Sequence, residues 1–171
     1  AKIESGNMTV SLEPVLVSRV VTECFTLLQT QADLQGVRLF ATLNNHENAY
    51  VVADNTRLKQ ALINLVGNAI KYNKMGGEVE LSVVQQEGKR LRVTIRDTGQ
   101  GIPLARQREV FQPFNRLNAE MSKIEGSGVG LVITKRIVEM MHGIIGFTSE
   151  ENVGTTFWVE LPLCQQWQNM A

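Results

Sequence analysis

The chain has 171 residues, enough for one domain that buries its own core without disulfide or metal staples. It is 43% hydrophobic and 20% charged, with a mean hydropathy of −0.07, and its apolar runs are only a few residues long, so nothing is built to span a bilayer. Seventeen Lys and Arg balance 17 Asp and Glu, which excludes a global positive field for nucleic acid or an anionic membrane surface. No signal peptide opens the chain. Cys24 and Cys164 lack metal-ligand spacing and suit a reducing cytosol. Because the chain starts at Ala1 and not Met, it reads as a piece of something longer.

In chain order, residues 8–12 predict a short strand, and Pro14 fits the first turn of a helix. Val17, Val20, Val21, Cys24, Leu27 and Leu28 recur at helical spacing until Gly36. Val37, Leu39, Ala41 and Leu43 alternate as a strand does, and Tyr50–Ala53 predicts another. Asp54 or Asn55 can cap a helix running to about Asn73, ahead of Gly76-Gly77. Glu78–Val84 and Arg90–Asp97 pair as a hairpin across Glu87-Gly88. Pro103 opens a short helix ending near Val110. Residues 115–127 are polar and irregular, and Gly128–His142 predicts a helix closed by Gly143. Ile145–Ser149 and Thr155–Leu161 form a last hairpin. The expected fold is an α/β (α+β) two-layer sandwich: a mixed, largely antiparallel sheet with about three helices on one face.

Charge and glycine are unevenly placed. The middle third, residues 56–110, carries 10 Lys and Arg against 5 Asp and Glu, a hint that an anion is handled there. Eight of the 14 glycines lie between Gly99 and Gly154, where the backbone is bent or closely approached.

The helix over residues 54–73 breaks a local rule. Leu58, Ala61, Leu62, Leu65, Val66 and Ala69 share its apolar face, while Gln60, Asn64, Gly67, Asn68 and Lys71 stand opposite. A solvated face favours Glu, Lys or Ala, and a mid-helix glycine costs about 1 kcal/mol against alanine. Asparagine offers a neutral oxygen that Mg²⁺ accepts beside phosphates, and Lys71 adds a point charge for phosphate. A weakly designed surface would explain the pattern as well, so the helix alone leaves both readings open.

Three loops add to it. Asp97-Thr98-Gly99-Gln100-Gly101-Ile102-Pro103 puts a carboxylate at a strand end, where it can accept from an amine such as that of adenine; an ordinary Asp-initiated turn is the alternative. A dinucleotide fold is disfavoured, since the third glycine would fall at Leu104. Gly126-Ser127-Gly128-Val129-Gly130-Leu131 opens a helix, as an anion site would, and the polar run before it has the look of a mobile lid; flexible-loop glycines and an ordinary long loop are the alternatives. Gly154-Thr155-Thr156-Phe157 begins the last strand, where Thr155 could bond a base or a water, or simply be a β-branched strand residue.

The order and spacing of these pieces resemble the ATP-binding catalytic domain of two-component sensor histidine kinases. Gln60…Asn64-Leu65-Val66-Gly67-Asn68-Ala69-Ile70-Lys71-Tyr72 resembles the N box of that family, and Asp97-Thr98-Gly99-Gln100-Gly101 its G1 box. Phe111-Gln112-Pro113-Phe114 resembles the F box, Gly126–Leu131 the G2 box, and Gly154-Thr155-Thr156-Phe157…Leu161-Pro162 the closing strand. The likeness covers about residues 8–163. It implies the Bergerat fold shared with gyrase B, Hsp90 and MutL, and ATP with Mg²⁺ as ligands. It implies that Asn68 binds the metal, that Asp97 reads the adenine amine, and that Asn64, Lys71 and Tyr72 surround nucleotide and metal, with Asn64, Asn68 and Lys71 as the catalytic set. Gly99, Gly101, Ile102, Phe114 and Thr155 would line the nucleotide. Gly126, Ser127, Gly128, Val129, Gly130 and Leu131 would wrap the phosphates, with Arg116 as a lid contact.

The hydrolysing superfamily members carry a glutamate where this chain has Asn64, and asparagine cannot serve as a general base. The chain should therefore hold ATP without efficiently spending it on water. The family's phosphoacceptor histidine sits on a separate helical hairpin. Here His46 lies in a polar turn and His142 at a helix end, so that hairpin is expected ahead of Ala1, with residues 1–12 as its exit and first strand, 13–163 as the catalytic domain and 164–171 as a tail. The implied partners are ATP, the dimerisation and histidine-phosphotransfer hairpin of the same parent and, indirectly, a response regulator receiver domain. The implied location is cytoplasmic, with no nucleic acid or membrane contact by this fragment and an inner-membrane anchor for the parent left open. The rival readings are a non-catalytic nucleotide-binding module, an ATP-driven clamp of the gyrase B or MutL type, and a serine kinase of the anti-sigma type.

Overall fold

The computed structural model describes residues 2–5, 8–112 and 130–164. The elements are β1 (Lys2–Ser5), β2 (Met8–Ser11), β3 (Glu13–Leu16), α1 (Val17–Gln35), β4 (Arg38–Thr42), β5 (Tyr50–Ala53) and α2 (Asn55–Lys71). They continue with β6 (Glu78–Gln86), β7 (Arg90–Asp97), a 3-10 helix (Leu104–Glu109), α3 (Gly130–Met140), β8 (Ile144–Glu150) and β9 (Gly154–Pro162). A five-stranded sheet has the order β4-β6-β7-β9-β8, with β4 and β6 parallel and the other neighbours antiparallel. Two smaller antiparallel pairs, β1-β2 and β3-β5, complete the strands among the described residues.

The sandwich expected from the sequence is present. Period-two alternation turns Val79, Leu81 and Val83 of β6, Leu91, Val93 and Ile95 of β7, and Phe157, Val159 and Leu161 of β9 inward, and all are buried. Against them pack Leu58, Leu62, Leu65 and Ile70 of α2, which is flanked by α1 and α3. The opposite sheet face is polar and its charges are paired: Arg96 reaches Glu78 and Glu80, and Arg92 and Arg90 share Glu160.

Several boundaries differ from expectation. Pro14 lies in β3, opposite Val52, and not in a helix; an outer strand tolerates a residue without an N–H, and α1 starts only at Val17. The helix over 54–73 ends at Lys71, and Asp54 is its cap, accepting the N–H of Arg57 at 3.0 Å. The helix after Pro103 is a 3-10 turn. His142, and not Gly143, takes the left-handed conformation (φ 62°) that closes α3. Gly143 is required for a different reason, since a Cβ there would lie 2.6 Å from the Glu160 carbonyl oxygen.

Candidate functional site

A cavity of about 360 Å³ opens between the end of α2, the loop after β7 and the start of β9. The sequence left the polar face of α2 ambiguous between a site and a solvated surface. Gln60, Asn64, Asn68 and Lys71 are all half-buried, so that face is only partly open to solvent. Asn68 and Tyr72, one turn apart, look into the cavity beside Leu65 and Ala69.

Asp97 stands where β7 ends. Its Oδ1 accepts the backbone N–H of Gly99 at 2.9 Å and of Thr155 at 3.1 Å. Both bonds go to one oxygen, and among the described residues no donor reaches Oδ2. Burial pushes the Asp97 carboxyl above its usual range, and the two N–H bonds and nearby Arg96 only partly oppose this. A half-buried carboxylate with one oxygen uncommitted, beside the apolar surfaces of Ile102, Leu131 and Phe157, suits a flat ligand that donates one hydrogen bond.

The loop after Asp97 is stitched down on both sides. Gln100 N–H donates to the Tyr72 carbonyl at 3.2 Å, and Asn152 N–H to the Gln100 carbonyl at 2.7 Å. Ile102 N–H donates to Ser149 Oγ at 2.8 Å, and the Ser149 and Thr155 hydroxyls share a bond of 2.8 Å. Gly101 takes φ 71° and lies so close to the Glu150 carbonyl that no side chain fits. At Gly99 a side chain would meet the Tyr72 carbonyl.

Of the residues singled out in the sequence, the structure brings Asn68, Tyr72, Asp97, Gly101, Ile102, Leu131 and Thr155 to the cavity wall. Gly99 supports Asp97 from behind. Asn64 is not part of the wall; its Nδ2 donates to Thr134 Oγ1 at 3.2 Å, and Thr134 in turn bonds the Gly130 carbonyl at 2.6 Å, so Asn64 ties α2 to the first turn of α3. Lys71, the last residue of α2, is half-buried and also absent from the wall. Phe114, Arg116, Gly126, Ser127, Gly128 and Val129, together with the expected lid over 115–127, lie outside the described residues.

Sequence reasoning missed Gln100, Pro103, Arg106, Glu151, Asn152 and Phe157 on the wall; Leu65 and Ala69 are core residues, as expected, that also border the cavity. Leu65 and Ala69 each follow one of the two asparagines, a signal that was available. Asn152 and Phe157 are brought in only by the pairing of β9 with β7 and β8.

Burial raises the Tyr72 phenol above its usual range, so it stays a neutral hydroxyl at physiological pH. Among the described residues no group of three or more His, Cys, Asp or Glu could hold a metal by itself. Asn68 supplies one neutral oxygen donor to the cavity. Such a donor fits a hard cation that brings most of its ligands with it, as Mg²⁺ does on phosphates.

Residues 53–165 match the family model described as "Histidine kinase-, DNA gyrase B-, and HSP90-like ATPase". The signal transduction histidine-protein kinase BarA of Escherichia coli K12 is 36% identical over 167 residues, which cover 95% of this chain and 18% of BarA. The chain thus spans about a fifth of that relative. Full-length ShkA in complex with AMPPNP superposes with a TM-score of 0.80 at 28% identity, covering 93% of this chain and 32% of ShkA. The catalytic domain of histidine kinase ThkA gives 0.77 at 28% identity, covering 90% of this chain and 96% of that domain. ThkA has also been solved in complex with the response regulator protein TrrA, and there the TM-score is 0.74 at 26% identity, with 92% of this chain and 43% of that one covered.

Proposed function

The chain belongs to the histidine kinase-, DNA gyrase B- and HSP90-like ATPase family, as a histidine kinase catalytic domain, and on that premise we propose that it binds ATP in the cavity below Asp97 and transfers the γ-phosphoryl group to a histidine on a separate helical hairpin. The observation that carries the reading is Asp97 Oδ2, which takes no donor among the described residues, in an apolar slot that Asn68 of α2 also lines. The exocyclic amine of adenine donates to that oxygen, while Leu65, Ala69, Ile102 and Phe157 cover the ring. Two N–H groups hold the carboxylate, so it need not reorganise when the base arrives.

Phosphates then extend along α2 toward Asn68 and the N-terminus of α3, where Gly130 and Leu131 follow the glycines of the sequence motif. Asn68 would hold Mg²⁺, which would offset negative charge on the phosphates, and Lys71 at the end of α2 would add positive charge nearby. Asn64 holds the two helices in register through Thr134. As an amide it takes no proton from water, so ATP is kept for an imidazole nucleophile. In the transfer the bond from the γ-phosphorus to the bridging oxygen breaks, a P–N bond forms, and ADP leaves.

In this reading residues 13–163 are the catalytic domain, residues 1–12 lead toward the acceptor hairpin, and a response regulator takes the phosphoryl group afterwards. The location is the cytoplasm; no described helix is long and apolar enough to cross a membrane. The test mixes the chain with an acceptor hairpin of a closely related kinase and labelled ATP with Mg²⁺. Acid-labile, alkali-stable phosphate on the hairpin is expected. Label on a hydroxyl residue instead, or ATP binding without transfer to any histidine hairpin, would favour the serine-kinase or regulatory-module readings.

A further inference from the structure

Among the described residues β2 has a strand on one edge only, β1. Its other edge meets two side chains from the first turn of α2. Asp54 Oδ2 accepts the Ser11 N–H at 2.8 Å, and Arg57 Nε donates to the Thr9 carbonyl at 3.3 Å. Thr9 and Ser11 are two residues apart, so both groups leave the same edge of the strand. The carboxylate and the guanidinium thus stand where a neighbouring strand would put a carbonyl and an amide. Between them Val10 is 1% exposed, which seats β2 in the core.

Capping a helix takes one oxygen, and Oδ1 of Asp54 already serves by accepting the Arg57 N–H at 3.0 Å. The bonds from Oδ2 and from Arg57 to β2 are surplus to capping. Arg57 also donates from Nη1 to Gln60 Oε1 at 2.9 Å, which fixes its fork along the helix. The same turn touches the end of α3, where the Asp54 N–H meets Met141 Sδ at 3.3 Å, while β1 lies against α3 itself. From Asp54 the helix runs for about 20 Å to Asn68. One continuous helix thus holds β2 through Asp54 and Arg57 at one end and lines the cavity with Asn68 at the other.

We propose that Asp54 and Arg57 are a positioning pair that couples the β1–β2 hairpin to the nucleotide cavity, so that seating of the hairpin and occupancy by nucleotide reinforce one another. The inference rests on the nucleotide reading given above. Coupling of this kind is reciprocal: whatever pulls β2 from its seat weakens nucleotide binding, and bound nucleotide holds β2 in place.

The test uses the 171-residue chain with ADP and Mg²⁺, read by calorimetry and by exchange of single amides. In the unaltered chain ADP should slow exchange of the Ser11 amide by about five- to tenfold. Asp54→Asn keeps a good cap but sets an NH₂ group against one of two N–H donors. It should abolish that protection and weaken ADP about fivefold, with the Val93 amide in the sheet core unchanged. Arg57→Gln, which leaves the cap intact, should lose part of the protection, and Arg57→Lys, which can still reach one carbonyl, should restore some of it. If Asp54→Asn does not fold, the two Arg57 variants decide. ADP that binds the unaltered chain without slowing Ser11 exchange, or that binds the Arg57→Gln variant with full affinity and full protection, overturns the coupling alone. Absence of any ADP binding to the unaltered chain overturns the nucleotide reading and the coupling with it.

Discussion

Asp97 concentrates the conflict between stability and function. Burial raises its carboxyl above the ordinary value, so the ionised form is costly in the folded, empty protein. For an acid whose folded pKa is raised, the favourable contribution is present below the unfolded value and is lost as pH rises through the folded one. Near neutral pH the charge is therefore a net cost to the empty chain. Asp97→Asn keeps an oxygen for Gly99 and Thr155 and removes that cost, so the melting temperature of the empty variant should hold or rise. Its amide NH₂ faces the adenine amine, so ATP affinity should fall by about 1–3 kcal/mol. Paired calorimetry and thermal melts check this; unchanged affinity would remove Asp97 from the base-reading role. In the unaltered chain, ATP affinity should also weaken as pH falls into the raised titration range, because the protonated carboxyl offers a donor to a donor. The residue itself was legible, since an aspartate before Gly-x-Gly at a strand end is a local pattern. The second N–H that supports it was not, because Thr155 comes from another strand.

At the scale of elements, α2 shows how a helix can be legible in period and still mislead at its surface. Its cap, its apolar face and the spacing of Asn64 and Asn68 all follow from 3.6-residue geometry. What periodicity could not show is that the two asparagines do different work: Asn68 faces the cavity, while Asn64 is spent on Thr134. Asn68→Ala should therefore cost Mg²⁺-dependent ATP binding more than binding measured with the metal chelated. Equal losses in the two calorimetric titrations would make Asn68 a packing residue. The four-residue strands β1 and β3 were missed because each is defined by a partner and not by its own pattern. Pro14 misled for the same reason, since a fixed φ near −65° suits a helix start and an outer strand alike. Inside the long β6, β7 and β9, strict alternation made the strands plain from sequence, and the two-layer arrangement followed.

For the molecule as a whole, no histidine stands in a position to receive phosphate from the cavity. His46 sits in the turn between β4 and β5 with its Nδ1 3.1 Å from the Leu43 carbonyl, and His142 closes α3. Neither lines the cavity wall. With Asn64 in place of a general base, the chain alone with labelled ATP and Mg²⁺ should show no stable phosphorylation and turnover far below the ~10 s⁻¹ of a median enzyme. Label on His46 or His142, or rapid phosphate release, would return the self-contained kinase or the clamp to first place.

The bond between Thr155 and Asp97 joins residues 58 positions apart. It forms only when β9 has come back to lie beside β7, the step that closes the longest loop of the central sheet and carries its full entropic cost. A ligand that needs this bond recognises only a chain in which β7 and β9 have already paired. Saturating ADP should therefore lengthen the unfolding half-life in stopped-flow denaturant jumps and leave the refolding rate where it was. Refolding accelerated by ADP would mean that the β7–β9 junction is already made at the barrier.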